Sequence, residues 1–236
     1  MRWYHVLGLM VLCFCLGGLI VWCLKKPAET VGPSEQANTE TISASASSAD
    51  LSENADLWAT SVVKLEVFDA DDNRIGTGSG FAAFEEPLLI TARHVIVNME
   101  YMIATKDDGT TFRIDQVIED DEASDLVLCV LPEDAGIKAL PIAAAEPKRG
   151  AGVIAIGSQF GVNNLVTTGN VCGQWNSEKA TWILFTAPVS GGSSGGPLLN
   201  EKGEVVGIVT GSYEKGQNLN LAAPIAKAQA LYDKGK

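Results

Sequence analysis

Residues 190–211 read SGGSSGGPLLNEKGEVVGIVTG, a glycine-rich loop that runs directly into two short apolar segments. A flexible spacer would be followed by more low-complexity sequence. Here the apolar segments 197–199 and 205–210 flank a polar turn, which predicts strand, hairpin, strand. The glycines therefore lie inside a folded domain. Because glycine adopts backbone angles that other residues avoid, this loop can turn tightly with its N–H groups pointing inward.

The rest of the chain after residue 56 shows the same short, β-branched runs, separated by Gly, Asp, Asn or Pro. This pattern predicts an all-β domain, and twelve short strands favour two six-stranded barrels. The predicted strands are 61–68, 76–84, 88–91, 101–105, 111–118, 126–131, 152–156, 165–172, 181–186, 197–199, 205–210 and 219–223. A last segment, which begins at Pro224, has helical spacing and is expected to pack as a helix on the second barrel.

Composition and charge restrict the function. The chain has 236 residues, 46% of them hydrophobic, which is sufficient for a substantial core. It carries 17 Lys and Arg against 29 Asp and Glu, a net charge of −12 that would repel a polyanion. We therefore expect no nucleic-acid partner.

The cysteines and histidines give no sign of a disulfide framework or a metal site. Cys13, Cys15 and Cys23 lie in an apolar N-terminal run, which leaves two cysteines for the folded part. Cys129 has the surroundings of a small buried hydrophobe, and a bridge to Cys172 stays open. With two histidines in the whole chain, no cluster has metal-ligand spacing. We expect neither a metal nor a cofactor.

The N-terminus predicts a membrane segment. Residues 6–24 carry no formal charge and are long enough to cross a bilayer as a helix. A cleaved signal peptide is the alternative, but the bulky and basic residues 22–26 do not resemble a cleavage site. Residues 1–26 are therefore interpreted as an uncleaved signal anchor. The flanking charges leave its orientation open, and we expect the domain on the extracytoplasmic side.

The segment that follows the predicted anchor is rich in Ser, Ala, Thr, Glu and Asn. Residues 27–55 contain few large apolar groups, which predicts a disordered linker. Residues 56–236 then form the folded domain.

Three residues of that domain could carry acyl-transfer chemistry. This chemistry needs a nucleophilic hydroxyl, an imidazole base, a carboxylate that orients the imidazole, and N–H donors for the oxyanion. His94 is the sole histidine after the predicted membrane segment. Asp125 directly precedes an apolar strand, where a carboxylate needs a partner. Among the serines of the glycine-rich loop, only Ser194 satisfies Gly-x-Ser-Gly-Gly-Pro.

These segments together resemble the chymotrypsin-like serine peptidases, and more closely their HtrA/DegP-type branch. The resemblance covers residues 57–226, in the family's order of His, Asp and Ser. It rests on TARH at 91–94, SDLVL at 124–128, GSSGGP at 192–197, and AIGSQFG at 155–161 followed by VTTGNV at 166–171.

The resemblance implies a trypsin-like double barrel with a catalytic site in its cleft. Ser194 would be the nucleophile, His94 the general base and acid, and Asp125 the orienting carboxylate. The N–H groups of Gly192 and Ser194 would form the oxyanion hole. The sequence departs from the family at Gln159, where a proline is usual, and at Arg93, which adds a cation beside the base.

The resemblance also implies protein or peptide substrates. A substrate would pair with one strand of the second barrel, and its side chain would lie against the wall before the nucleophile, where a small or medium apolar group is expected. The predicted binding residues are Val189, Ser190, Ile208, Val209, Thr210 and Gly211. The short sequence after residue 225 predicts that the PDZ domain of HtrA proteins is missing. An inactive binding module and an esterase remain alternatives to a membrane-tethered endopeptidase.

Overall fold

The computed structural model describes residues 48–84, 88–213 and 216–235, with the side chains of 48–50, 52 and 53 excepted. The predicted membrane segment at 6–24 and the predicted linker up to residue 47 lie outside these residues. None of the helices within the described ranges is long and apolar enough to cross a membrane.

The first half of the domain is an open, antiparallel sheet of seven strands in the order β5-β4-β1-β2-β3-β7-β6. Its strands are β1 Val62–Phe68, β2 Arg74–Ala83, β3 Leu88–Ala92, β4 Tyr101–Thr105, β5 Thr111–Ile114, β6 Val117–Asp121 and β7 Leu126–Val130. A short 3₁₀ turn, Arg93–Ile96, follows β3.

The second half is a closed, antiparallel barrel of six strands in the order β10-β13-β12-β11-β8-β9. Its strands are β8 Gly152–Gly157, β9 Leu165–Asn176, β10 Thr181–Phe185, β11 Pro197–Asn200, β12 Val205–Ser212 and β13 Asn220–Pro224. A 3₁₀ turn, Gln159–Gly161, lies between β8 and β9.

The all-β prediction and the second barrel are confirmed, but the prediction of a first six-stranded barrel is wrong. Residues 111–118 were expected to form one strand, and they form parts of two. The exposed Asp115 and Gln116 end β5, which pairs with β4, and the chain then continues into β6, which pairs with β7. The two pieces therefore lie at opposite ends of the strand order, and the sheet has seven strands.

Two helices flank the sheets. The helix α2, Ile225–Lys234, follows β13 as predicted, but it contacts β6 and β7 of the open sheet as well as β12 and β13 of the barrel. The helix α1, Ser48–Ala59, begins inside the predicted linker. The expectation of disorder is therefore wrong for residues 48–55. Ala55, Trp58 and Ala59 are buried and Leu51 packs beside them, so α1 directs one apolar face to the core.

One hydrophobic cluster joins the two sheets. Phe81, Ile90 and Leu128 of the open sheet pack in the same cluster as Ile156 and Ile208 of the barrel. Each such side chain stabilises the fold by about 1.5–3 kcal/mol relative to its exposure. Because this shared cluster is close-packed, it holds the loops at its edge in fixed positions relative to one another.

Candidate active site

His94 and Asp125 are held together by the pairing of β3 with β7. Ala92, the last residue of β3, is opposite Leu126, the first residue of β7. The residues just outside this pair, Arg93 and Asp125, are joined by a backbone hydrogen bond of 3.1 Å from the Arg93 N–H. His94, the second residue of the 3₁₀ turn, therefore lies beside the Asp125 side chain.

The carboxylate of Asp125 binds His94 twice. One oxygen accepts the backbone N–H of His94 at 2.8 Å, and the other lies 2.6 Å from the ring nitrogen Nδ1. Because an ionised carboxylate only accepts hydrogen bonds, Nδ1 carries the proton in this pair. Nε2 is then the ring nitrogen that can accept a proton, as a general base requires.

Arg93 directs its charge away from this pair. Its guanidinium lies 2.5 Å from the Asp120 carboxylate and 3.8 Å from that of Glu122. The hydrogen bond to Asp120 raises the pKa of Arg93 above its ordinary value. The cation that the sequence placed beside the base is thus paired with other carboxylates, and Asp125 remains the hydrogen-bond partner of His94.

The glycine-rich loop is fixed by its own backbone and by the barrel. The Ser193 N–H donates to the Ser190 carbonyl at 2.9 Å, and the Gly195 N–H donates to the Val209 carbonyl at 2.7 Å. Gly192 and Gly195 have φ of 100° and 87°, angles that favour glycine. A Cβ on Gly192 would lie 2.3 Å from the Ser158 carbonyl oxygen, so a larger residue would force the backbone to shift there.

Three N–H groups of this loop are left free. Gly191, Gly192 and Ser194 donate no backbone hydrogen bond within the part of the chain that the structure describes, and the last two are the predicted oxyanion donors. The Gly191 carbonyl accepts the Phe160 N–H at 2.9 Å. Since the peptide bond after Gly191 is trans, the Gly192 N–H points away from Phe160. A pair of free N–H groups in the loop that carries a serine hydroxyl is the donor set that an oxyanion hole needs.

The hydroxyl of Ser194 points to the barrel. It donates to the Thr210 carbonyl at 3.4 Å, and the structure has no hydrogen bond between the side chains of Ser194 and His94. The chain segments that carry these residues nevertheless meet at Gly78. A Cβ there would lie 2.7 Å from Val95, the neighbour of His94, and 3.1 Å from the Ser194 carbonyl oxygen.

A cavity of about 280 Å³ lies beside the loop and has a mostly polar lining. Two of the predicted binding residues, Val189 and Ser190, form part of its wall. Across it lie Ser212 and Asn220, whose side chains share a hydrogen bond of 2.9 Å. No Asp, Glu, Lys or Arg lines it among the described residues, although residues 214 and 215 fall outside them.

The other predicted binding residues lie on β12, and the structure separates them. Ile208 and Val209 are buried and pair inside the barrel. Both backbone groups of Val209 bind the glycine-rich loop, at Gly195 and Gly196, so a substrate strand cannot pair with them. Thr210 and Gly211 extend past the last residue of β12 that pairs with β11. The predicted substrate-binding edge of β12 is thus restricted to Thr210 and Gly211.

Sequence reasoning missed Ser79 of β2, which is fully buried next to this loop. Its hydroxyl donates to the Gly192 carbonyl at 2.7 Å and accepts the Ser158 N–H at 2.8 Å. Gly78 and Gly80 flank it, and glycines within a strand are a signal of close backbone approach that could have identified the position. Within the described ranges, no three His, Cys, Asp or Glu side chains are grouped closely enough to hold a metal ion.

The family model of the trypsin-like peptidase domain matches residues 78–208, which is more than half of the chain. The chain belongs to the trypsin-like peptidase family. This segment of the family domain contains the His94–Asp125 pair and the glycine-rich loop described above.

The individual relatives include HtrA proteins and similar serine proteases. The chain is 38% identical over 144 residues to serine protease HTRA1 of Xenopus laevis, a match that covers 57% of this chain and 31% of the relative. It is 32% identical over 166 residues to the putative serine protease HhoA of Synechocystis sp., with 66% of this chain and 42% of the relative covered. The chain thus spans less than half the length of these relatives.

Among solved structures, the serine endoprotease from Yersinia pestis superposes with a TM-score of 0.68 at 25% identity. The match covers 78% of this chain and 65% of that one. Together these likenesses confirm the resemblance to HtrA-type trypsin-like peptidases that the sequence motifs indicated.

Proposed function

We propose that this trypsin-like peptidase domain is a serine endopeptidase that cleaves peptide bonds in unfolded or flexible protein segments. One observation carries the proposal: the His94–Asp125 pair and the loop with the free N–H groups of Gly192 and Ser194 lie at the junction of the same two sheets. Acyl transfer needs a serine, a base held in one tautomer, and a site that binds the oxyanion.

In the first step, the Ser194 hydroxyl turns from the Thr210 carbonyl toward the imidazole. Its oxygen forms a bond to the substrate carbonyl carbon while Nε2 of His94 takes the proton. Asp125 stabilises the imidazolium that results, and the carbonyl oxygen becomes an anion bound by the N–H groups of Gly192 and Ser194. When the C–N bond breaks, the imidazolium gives its proton to the leaving amine.

The second step returns the enzyme to its starting state. A water molecule attacks the acyl carbon and gives a proton to His94. The same two N–H groups bind the second oxyanion. The bond between the acyl carbon and the Ser194 oxygen then breaks, the serine regains its proton from His94, and the acid product leaves.

The substrate backbone would bind along the exposed second half of β12. Thr210 and Gly211 lie beyond the residues that pair with β11, so an extended segment can add there as a further strand. The side chain before the scissile bond would enter the 280 Å³ cavity next to Val189 and Ser190. Its size, and the absence of charged side chains among the described residues of its lining, favour a small or medium uncharged side chain. Folded substrates seldom offer such a strand, which favours flexible segments.

We further propose that the domain is tethered to a membrane through residues 6–24 and acts on the extracytoplasmic side. Support comes from the uncharged length of this segment. Protease added to intact cells should remove the domain from the cells, as followed with an antibody against it. A domain that becomes accessible only after lysis would contradict this location.

The activity is tested by hydrolysis of labelled casein, with modification by a fluorophosphonate as a second assay. The wild-type chain should digest casein and form a phosphonyl ester on Ser194. Ser194→Ala should lose both reactions, and His94→Ala should lose most of both. A folded wild-type chain that does neither would contradict the proposal.

A second candidate is a protease-like binding module without catalysis. The observation that favours it is the Ser194 hydroxyl, which binds the Thr210 carbonyl and not His94. Such a module would bind flexible peptides without cleaving them and would not react with the fluorophosphonate. An esterase on the same scaffold would hydrolyse short esters but not casein.

A further inference from the structure

Ser79 of β2 connects the open sheet to both residues of the proposed oxyanion hole. Its hydroxyl donates to the Gly192 carbonyl at 2.7 Å, and its N–H donates to the Ser194 carbonyl at 2.8 Å. It therefore binds the carbonyl oxygens of both Gly192 and Ser194, whose own N–H groups are free.

The remaining polar groups of Ser79 are also used. The hydroxyl accepts the Ser158 N–H at 2.8 Å, and the carbonyl accepts the Thr91 hydroxyl at 2.7 Å. Thr91 lies on β3, three residues before His94, and Ser158 follows β8 of the barrel. Ser79 is thus at the centre of a buried network that joins both sheets and the glycine-rich loop.

The position requires a small side chain that donates and accepts at once. The residue is fully buried, and a Cβ on the neighbouring Gly157 would lie 3.1 Å from the Ser79 hydroxyl oxygen and 3.0 Å from the Ser193 Cα. A serine hydroxyl provides one donor and two acceptor lone pairs in this space. Without it, the Gly192 carbonyl would lose its partner, and the loop could rotate that peptide group.

We propose that Ser79 is a positioning residue for the oxyanion hole of the peptidase. It holds the carbonyls of Gly192 and Ser194, and so fixes the direction of the chain directly after each of the two residues whose N–H groups would bind the substrate oxyanion. The inference rests on the proposed function, since it assigns a role in the same reaction. It extends that function because it places a determinant of catalysis on the sheet opposite the nucleophile, outside the three chemical residues.

A purely structural role would have different consequences. Loss of a buried hydrogen bond lowers stability without a selective effect on the reaction. A positioning role acts on the transition state, where the oxyanion exists, and hardly on the bound substrate. Measurements of kcat and KM therefore distinguish the two roles. The affinity of a peptide boronate does so as well, because its tetrahedral adduct with serine places an oxygen in the oxyanion hole.

The test compares Ser79→Ala with Ser61→Ala in the full-length chain in detergent. Ser61 is a matched control because it is equally a buried serine near β1 and β2, at 4% exposure, and its hydroxyl has no hydrogen bond to the described residues of the loop. Assays run at a temperature at which near-UV circular dichroism shows each variant to be folded. Ser79→Cys, of similar volume but with a weak donor, makes the same test if Ser79→Ala does not fold.

Complete removal of an oxyanion donor costs about 10²–10³ in kcat, so a displaced donor should cost about 10- to 100-fold. We expect Ser79→Ala to lose this much in kcat with KM within about twofold of wild type, and to weaken boronate binding by the same factor as kcat. Ser61→Ala should keep all three values. Wild-type kcat and boronate affinity in a folded Ser79→Ala would overturn the role of Ser79 alone. A wild-type chain without any turnover would overturn the proposed function as well.

Discussion

The open sheet and the closed barrel contribute different kinds of groups to the site. The open sheet supplies side chains, since His94 and Asp125 are 48% and 22% exposed and are joined by their own hydrogen bonds. The barrel supplies a buried backbone, in which Gly192, Ser193, Gly195 and Gly196 have little exposure. In the proposed reaction, one half would move a proton, and the other half would stabilise an anion.

This difference indicates where each half is sensitive to substitution. In the open sheet, the chemistry depends on which functional groups are present, and the exposed turn around them tolerates change. In the barrel loop, the proposed chemistry depends on backbone direction, so an added methyl group that displaces the backbone should lower activity without removing any functional group. The predictions below test this division.

The largest effect should come from removing the proposed nucleophile and base, one of which lies in each half. Ser194→Ala and His94→Ala should each lower kcat by about 10⁶-fold, and the double variant should lose no more than either alone, because the residues act as one unit. Casein hydrolysis by the two single variants and the double variant measures this. Losses that multiply in the double variant would show that the halves act independently.

A smaller effect is expected within the open sheet. Asp125→Asn should lower kcat by about 10⁴-fold, because the amide would hold the imidazole in the wrong tautomer. The fold should persist, since Asp125 has φ of 53°, a conformation that asparagine tolerates. Steady-state kinetics with circular dichroism tests both parts. A near-normal kcat would remove Asp125 from the mechanism.

Two adjacent glycines test the barrel loop. Gly192→Ala should lower kcat by about 10²–10³-fold, because its Cβ would meet the Ser158 carbonyl oxygen and displace an oxyanion donor. Gly191→Ala is the matched control, since a Cβ there has no neighbour within 4 Å. Kinetics of the two folded variants should therefore differ widely. Equal activity would contradict the importance of backbone direction.

A link between the halves outside the site should affect stability. The buried Asn164 of the barrel donates to the carbonyls of Ala59 and Val62 at 3.0 and 2.9 Å. Asn164→Ala should lower the free energy of unfolding by about 1–3 kcal/mol, because these carbonyls lose their side-chain partner. Urea unfolding measures the change. Asn163→Ala, whose side chain makes no hydrogen bond to the described residues, should unfold like wild type.

The smallest effect concerns the two cysteines of the domain. Burial raises the pKa of Cys129, on β7, to about 12, so its reactive thiolate is nearly absent at pH 8. Cys172, on β9 of the barrel, is half-buried. Iodoacetamide should modify Cys172 and leave Cys129 intact until the chain unfolds, as mapped by mass spectrometry. Equal modification of both in the folded chain would show that the open sheet opens readily.

Much of this architecture could be predicted from the sequence. Residues with β-branched side chains form brief runs between turns, so nearly every strand was located within a few residues. The motifs around His94, Asp125 and Ser194 also led to the segments that the fold brings together. Such local patterns are sufficient where strand pairing follows the chain order.

The remaining features depend on tertiary contacts. The helix α1 has a polar, alanine-rich sequence, and its order comes from Leu51, Ala55 and Trp58 packing on the core. The break between β5 and β6 depends on tertiary pairing, because β5 pairs with β4 and β6 pairs with β7. No local sequence signal identifies the distant residues that bind Ser79 or the backbone groups of Val209.

The structure of a peptide boronate complex tests the central claim most directly. The account predicts a bond from the Ser194 oxygen to boron, one boronate oxygen about 2.7–3.1 Å from the N–H groups of Gly192 and Ser194, and Nε2 of His94 beside the adduct. A boronate bound elsewhere, with the Ser194 hydroxyl still on the Thr210 carbonyl, would contradict it.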